Sequence, residues 1–147
     1  MDIIVNTVVY KDNKVLMVQE NWGKFVGMWN FPAGHLDEFE NIFIGAIREA
    51  KEETGYDVCL TGFLGLQNVF YPNKHVILLN FLAEIVGGEI EFDKDEIMNV
   101  EFVEVDKLLN MSDSELRGGN ARKEMIKRAR DKKFLPLDAI SNFDFRN

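Results

Sequence analysis

Cysteine, long apolar stretches and positive charge are all scarce in this sequence. One cysteine, Cys59, stands among 147 residues, so no internal disulfide forms and a reducing compartment is expected. Cys59 itself reads as a small core hydrophobe. No apolar run approaches the ~20 residues that a membrane-spanning helix needs. Met1-Asp2-Ile3-Ile4-Val5 carries no basic lead, so neither a membrane span nor a signal peptide is expected, and the cytoplasm is the expected location. Repeats, low-complexity tracts and linkers are missing as well. One domain over residues 1–147 is therefore expected, long enough to bury a core without staples. Seventeen basic residues face 25 acidic ones, a net charge of −8. That balance argues against a nucleic-acid polymer held by phosphate neutralisation.

The few positive charges are crowded together. Residues 117–133 hold eight Lys or Arg against Glu124 and Asp131, a local +6, which leaves −14 for the rest of the chain. The plain reading is a solvated helix face. The sharper one is that the first members of the stretch attract an anionic substrate.

Local patterns predict a mixed α/β domain. Residues 3–10 and 15–19 are β-branched and apolar around Lys11-Asp12-Asn13-Lys14, which reads as a hairpin. Residues 22–31 read as loop, punctuated by Gly23, Gly27 and Pro32. Residues 41–54 read as a helix closed by Gly55. Two long strands follow at 58–69 and 75–86, then a short strand at 100–105, a helical turn at 106–110 and a last helix at 120–132. On that last helix Ala121, Met125, Ile126 and Ala129 share a side. Strands interspersed with helices predict helices packed on a sheet.

The helix over 41–54 carries the chemistry. At about 100° per residue, Phe43, Ala46, Ile47, Ala50 and Thr54 form one arc, expected to be buried, and Glu49, Glu52 and Glu53 form a different flank. Like charges at i and i+4 cost a helix a few tenths of a kcal/mol per pair, roughly. A divalent cation that prefers hard oxygen ligands would compensate, and Mg²⁺ is commonly held by carboxylates together with substrate phosphates. Alone, the three glutamates would fit a solvated acidic face better, with Arg48 and Lys51 as ordinary ion-pair partners.

They are not alone. Residues 34–56 read GHLDEFENIFIGAIREAKEETGY, which resembles the Nudix box. Gly34, Glu40, Arg48, Glu49, Glu52, Glu53 and Gly55 all stand at its spacing, and seven fixed positions make a specific signal. Ala50 and Tyr56 replace larger aliphatics, with little consequence expected. Phe39 stands where many members have glycine, so a loop needing positive φ would be strained there.

The resemblance implies an α/β/α sandwich with a mixed sheet, and a magnesium-dependent hydrolase of phosphoanhydrides, with Mn²⁺ as the substitute ion. It implies that Glu49, Glu52 and Glu53 are metal ligands, with the backbone carbonyl of Ala33 as a further one. Arg48 then holds a box glutamate in place, Glu40 ties the loop to the helix, and Gly34 and Gly55 serve the backbone. The base that activates water is left open between Glu49 and Glu96. Glu96 sits where many relatives carry a catalytic or metal-binding acid, and an ordinary loop carboxylate is the even alternative.

The run Trp29-Asn30-Phe31-Pro32-Ala33-Gly34-His35-Leu36 is similar to a bacterial Nudix subgroup. Its members act on nucleoside di- and triphosphates and on the thiamine pyrimidine pyrophosphate. Leu116-Arg117, Glu124 and the segment 134–140 with Phe143 extend that likeness. It implies a small-molecule substrate, with His35 and Phe31 lining the pocket and Arg117 on terminal phosphates, a surface arginine being the alternative. Two other functions stay open: an ADP-ribose or sugar-nucleotide pyrophosphatase, and a catalytically silent Nudix module that senses a nucleotide.

Overall fold

A computed structural model of the chain describes residues 1–146. Strands β1 (Asp2–Lys11), β2 (Lys14–Glu20), β3 (Trp29–Asn30) and β4 (Ala33–His35) precede helix α1 (Ile42–Thr54). Strands β5 (Tyr56–Tyr71), β6 (Lys74–Gly88) and β7 (Ile97–Glu104) follow, then α2 (Val105–Leu109) and α3 (Gly119–Arg130). No helix is long and apolar enough to cross a membrane among these residues.

The predicted β1–β2 hairpin is paired only at its tip, Tyr10 with Val15 and Lys11 with Lys14. Asp12 and Asn13 take positive φ, 52° and 58°, the geometry of a tight hairpin turn. Beyond the tip the two strands part. β1 runs parallel to β6 from Asp2 through Val9 and antiparallel to β4, while β2 pairs with β7 along its length and with β3 at its end. Val15 to Val18 are all buried, so β2 is covered on both faces, as a strand flanked by helices on each side must be. The result is a mixed sheet that splays at the open end of the hairpin.

The short strand β3 replaces the end of the loop expected up to Phe31, and a second short strand, β4, follows it. Runs of two and three residues carry no readable period, so their pairing shows only in three dimensions. Cys59 is exposed rather than core, because β5 alternates there and Val58 takes the inward position.

Helix α1 starts on Asn41, whose Oδ1 accepts from the N–H groups of Phe43 and Ile44 at 2.9 and 3.2 Å. It ends at Gly55 with φ +84°. A side chain at Gly55 would also meet the Glu89 carbonyl oxygen at 2.2 Å, so both conformation and space require glycine there. The buried face of α1 is Gly45, Ala46, Ala50 and Thr54. Ile47 is 36% exposed, which corrects its expected place in the core. Small residues let the helix lie close on the strands, and the contact face turns toward Glu49 and Glu53.

Three buried clusters hold the layers apart, one of them Val5, Leu79 and Phe81 against Ala46 of α1. Val9, Leu16, Val18 and Ala83 pack with Ala50 under α1. Val8, Met17, Phe31 and Leu64 pack with Met125 and Ile126 under α3. On α3 the buried row is Arg122, Met125, Ile126 and Ala129, and Ala121 is only half-buried. Phe39 has φ 62° and is exposed, with the Arg146 guanidinium 4.7 Å from its ring centre.

Candidate active site

The open end of the hairpin is a cleft of about 540 Å³. Its floor and one wall come from β4 (Ala33, Gly34, His35) and from Glu49 and Glu53 of α1. The rest of the lining comes from the ends of β2 and β3 (Glu20, Asn30), from Arg117, and from Arg122 in the first turn of α3. Glu96, just before β7, and Trp22 complete the rim.

Glu53 reaches deepest. Its Oε1 accepts the Ala33 N–H at 2.7 Å, which welds the end of α1 to β4. Burial pushes its carboxyl up to about 8, and Glu49, Glu20 and Glu96 add to that while the Ala33 hydrogen bond opposes it. Glu49 is also raised, first by burial, against the pull of Arg48. Its carboxyl fills the space over Gly34, where an added Cβ would fall 2.0 Å from the Glu49 Cδ. Gly34→Ala should therefore swing the Glu49 carboxylate out of place with little effect on the backbone. The expected result is a melting temperature within a few degrees of wild type and a kcat lower by about tenfold or more. Unchanged turnover would show that the Glu49 carboxylate has no need of that position.

Arg48 organises the surrounding acids. Its Nε and Nη2 donate to the two Glu40 oxygens at 2.7 and 2.9 Å, and its Nη1 donates to Glu49 Oε1 at 2.8 Å. Glu52 sits 3.2 Å from the same Nη1, and the His35 carbonyl accepts from Nη2 at 3.2 Å. This network holds Glu40 below the ordinary carboxylate range, chiefly through the Arg48 hydrogen bond, and pushes Arg48 well above its own. Glu40 Oε1 also accepts the Asp37 N–H at 3.0 Å, fixing the loop before α1.

Of the residues singled out by sequence, Glu49, Glu53, Ala33, Gly34, His35, Glu96 and Arg117 line the one cleft. Glu52 does not. It faces the neighbouring surface with Lys51, Gly55 and Glu91. Phe31 is fully buried beneath the site among Val8, Met17 and Met125, so its expected place on the pocket wall is corrected to the core. Arg117 is not a free surface arginine. Its Nη1 pairs with Glu20 at 2.8 Å, and its guanidinium lies 3.7 Å from the Phe25 ring centre. Glu96, unlike Asp93 and Asp95, reaches the cleft.

Among the cleft residues that the sequence does not single out, three are polar and buried: Glu20, Asn30 and Arg122. For Arg122 a signal existed. It precedes Met125 and Ile126 by three and four residues and so falls on their apolar face. Burial lowers it to about 10. The basic stretch thus divides: Arg117 and Arg122 turn into the cleft, while Lys123, Lys127 and Lys133 border a separate depression outside it.

The donor chemistry fits a hard divalent cation. Glu49 and Glu53 each use one oxygen in the bonds above and keep the second unpaired toward the cleft side. Among the described residues no three acidic, histidine or cysteine side chains stand at chelating distance as positioned. The glutamates would therefore bring a cation to phosphate oxygens and backbone rather than enclose it.

Comparison with known proteins agrees with this geometry. The NUDIX domain family model matches residues 2–129. An ADP-ribose pyrophosphatase of Methanocaldococcus jannaschii is 30% identical over 108 residues, covering 72% of this chain and 63% of that protein. An NAD-capped RNA hydrolase NudC of Vibrio atlanticus is 34% identical over 100 residues, covering 68% and 36%. This chain therefore spans less than two thirds of the length of these relatives. A solved NUDIX hydrolase from Nitrosomonas europaea superposes with a TM-score of 0.88 over 98% of each chain at 23% identity, which shows the shared fold. With the family model across most of its length and the box helix set on the cleft, the chain belongs to the Nudix family.

Proposed function

We propose that the chain, acting as one domain over 1–147, is a divalent-metal-dependent hydrolase of phosphoanhydrides in nucleoside di- and triphosphates or related small organic pyrophosphates. Mg²⁺ is the natural ion in this reading and Mn²⁺ its substitute. The observation that carries it is one cleft that gathers the carboxylates Glu20, Glu49, Glu53 and Glu96 with the guanidiniums Arg117 and Arg122. Such a cleft accepts a molecule with a polyanionic end and a second, different end.

Bound metal would polarise the phosphoryl oxygens and lower the pKa of the attacking water. Glu49, Glu53 and the Ala33 carbonyl would hold it, and Glu52 supports them from outside through Arg48. Arg48 keeps Glu49 Oε1 fixed, so its free Oε2 is aimed without loss of side-chain entropy at the moment of reaction. Glu49 would take the proton from water as the water oxygen attacks phosphorus, the bridging P–O bond would break with its electron pair leaving on the departing phosphate, and Glu96 is the alternate base from the rim. His35, mostly exposed on β4, lies 3.5 Å from Asp2 and borders the route by which the anionic end enters. The net charge of −8 favours a small substrate over an RNA chain, although the NudC relatives are named for capped RNA.

The test is a panel of nucleoside di- and triphosphates, ADP-ribose and the thiamine pyrimidine pyrophosphate, with Mg²⁺ and identification of products. Release of inorganic phosphate from terminal positions is expected. AMP from ADP-ribose as the dominant product would move the reading to the activity for which the Methanocaldococcus relative is named. Activity should vanish in EDTA and return with Mg²⁺. Full turnover after exhaustive chelation would sink the metal-dependent reading, and no turnover of any panel member would leave a silent binding module.

A further inference from the structure

The part of the cleft lined by Glu20, Asn30 and Arg122 holds an acidic and a basic side chain that the protein leaves half-used. Glu20 and Arg122 are each 4% exposed and Asn30 is 3% exposed. The Arg122 Nε donates to Asn30 Oδ1 at 2.7 Å, and that same oxygen accepts the Phe31 N–H at 2.9 Å. Glu20 Oε1 accepts from Arg117 at 2.8 Å. Yet Glu20 Oε2 and Arg122 Nη1, both buried, have no hydrogen-bond partner. A buried polar group left unpaired is destabilising, and more so when charged. Two of them on the wall of one cleft mark a place made for something else.

What satisfies both is restricted by chemistry. A phosphate offers acceptors only, so it would serve Arg122 Nη1 and be repelled by Glu20 Oε2. An ammonium offers donors only and meets the reverse conflict. A group with a donor beside an acceptor serves both atoms and adds no net charge. Trp22, 47% exposed at the rim, offers a flat face for stacking beside them, and it is steadied by Phe25 at 4.9 Å.

We propose that Glu20 and Arg122, with Trp22 at the rim, form the recognition pocket for a planar nitrogen heterocycle whose edge carries an N–H donor beside an acceptor, as the Watson–Crick edge of each nucleobase does. The inference rests on the hydrolase reading for its orientation. With the ring on Glu20 and Arg122, the pyrophosphate end lies toward Glu49 and Glu53. Asn30 is a positioning residue here, holding the Arg122 guanidinium by its Nε. Arg117 does the same for Glu20 by occupying Oε1.

The test uses the full chain. Nucleoside triphosphates would be compared with ring-N-methylated counterparts that lack the free edge, and with inorganic tripolyphosphate. Blocking the edge is expected to lower kcat/KM by about tenfold or more on the preferred base, because the buried pair is then left unsatisfied. That discrimination should fall to within about threefold in Glu20→Gln and Arg122→Lys, where the donor–acceptor match is broken. In a second arm, phosphate-free nucleosides are titrated into wild type and both variants in EDTA, all carrying Trp29→Phe so that Trp22 is the one tryptophan followed by fluorescence. Binding should be seen in wild type and weakened in both variants. Equal turnover of blocked and unblocked nucleotides by wild type would overturn the proposal without any variant being made. Equal losses on tripolyphosphate and on nucleotides in Arg122→Lys would also overturn it and make Arg122 a phosphate contact. Nucleoside binding without hydrolysis of any triphosphate would strike the hydrolase reading and leave the pocket standing.

Discussion

Glu53→Gln is expected to lower kcat on the order of 10²-fold or more with saturating Mg²⁺, while making the metal-free protein more stable at neutral pH. The two effects come from one placement. The Glu53 carboxyl is held by the Ala33 N–H at 2.7 Å and otherwise lies in a poorly solvated corner beside Glu49, which is why it is raised to about 8. A group that binds its proton more tightly in the folded than in the unfolded chain favours folding at low pH. For Glu53 that contribution is complete below its ordinary value of 4.5 and is lost as pH rises toward about 8. Each unit of difference is worth about 1.4 kcal/mol, so on the order of a few kcal/mol is given up across that window. Gln keeps an oxygen for the Ala33 N–H and does not titrate. The melting temperatures of the two proteins in EDTA should therefore nearly coincide at acid pH and separate progressively up to pH about 8, with the variant higher. Glu49→Gln should lose rate to a similar degree but gain less stability, because Arg48 already compensates that carboxylate at 2.8 Å. Near-wild-type turnover in both variants would remove the glutamates from the reaction and leave the silent binding module as the better account.

The helical spacing alone would assign only a few tenths of a kcal/mol to the crowding of these carboxylates, roughly. The larger figure follows from burial, which the heptad-like arc of Phe43, Ile47 and Ala50 points away from. Apolar residue type suggested that Ile47 faces the core beside Ala46, yet Gly45 takes that place. Where a helix is pressed close against strands, steric fit selects small residues for the contact and leaves larger ones at the edge. The box itself was legible because its chemistry is local: one helix and its preceding loop set Gly34, Glu40, Arg48, Glu49 and Glu53 by spacing. Glu20, Asn30 and Arg122 were not, because 92 residues separate Asn30 from Arg122 and only the parting of β1 from β2 brings their elements to one cleft. Phe31 was misplaced for a related reason. It follows Asn30 in the extended chain, so when Asn30 turns to the cleft its neighbour turns to the core.

The second large effect is expected at Arg48. Its guanidinium spends its donors on Glu40, Glu49, Glu52 and the His35 carbonyl, and the side chains of Glu40 and Glu49 are only 12% and 14% exposed. Arg48→Met would keep much of the apolar stem but leave two largely buried carboxylates without their cation. Breaking such a pair from one side costs on the order of 3 kcal/mol. Arg48→Lys should recover part of this, since one ammonium can pair with Glu40 or with Glu49 but cannot reproduce the planar fork that joins them. The pH dependence runs opposite to that of Glu53. Glu40 is held below its ordinary value by Arg48, so its contribution is present above 4.5 and disappears as pH falls through the lowered folded value. The gap between wild type and Arg48→Met in urea midpoint should therefore be large at neutral pH and shrink in acid, where Glu40 is protonated in both. Rate should fall on the order of 10²-fold in Arg48→Met, with a higher Mg²⁺ requirement, because Glu49 then loses its fixed orientation. A stability change within about 0.5 kcal/mol, with kcat and Mg²⁺ requirement within twofold of wild type, would mean that Glu49 is oriented by something other than Arg48.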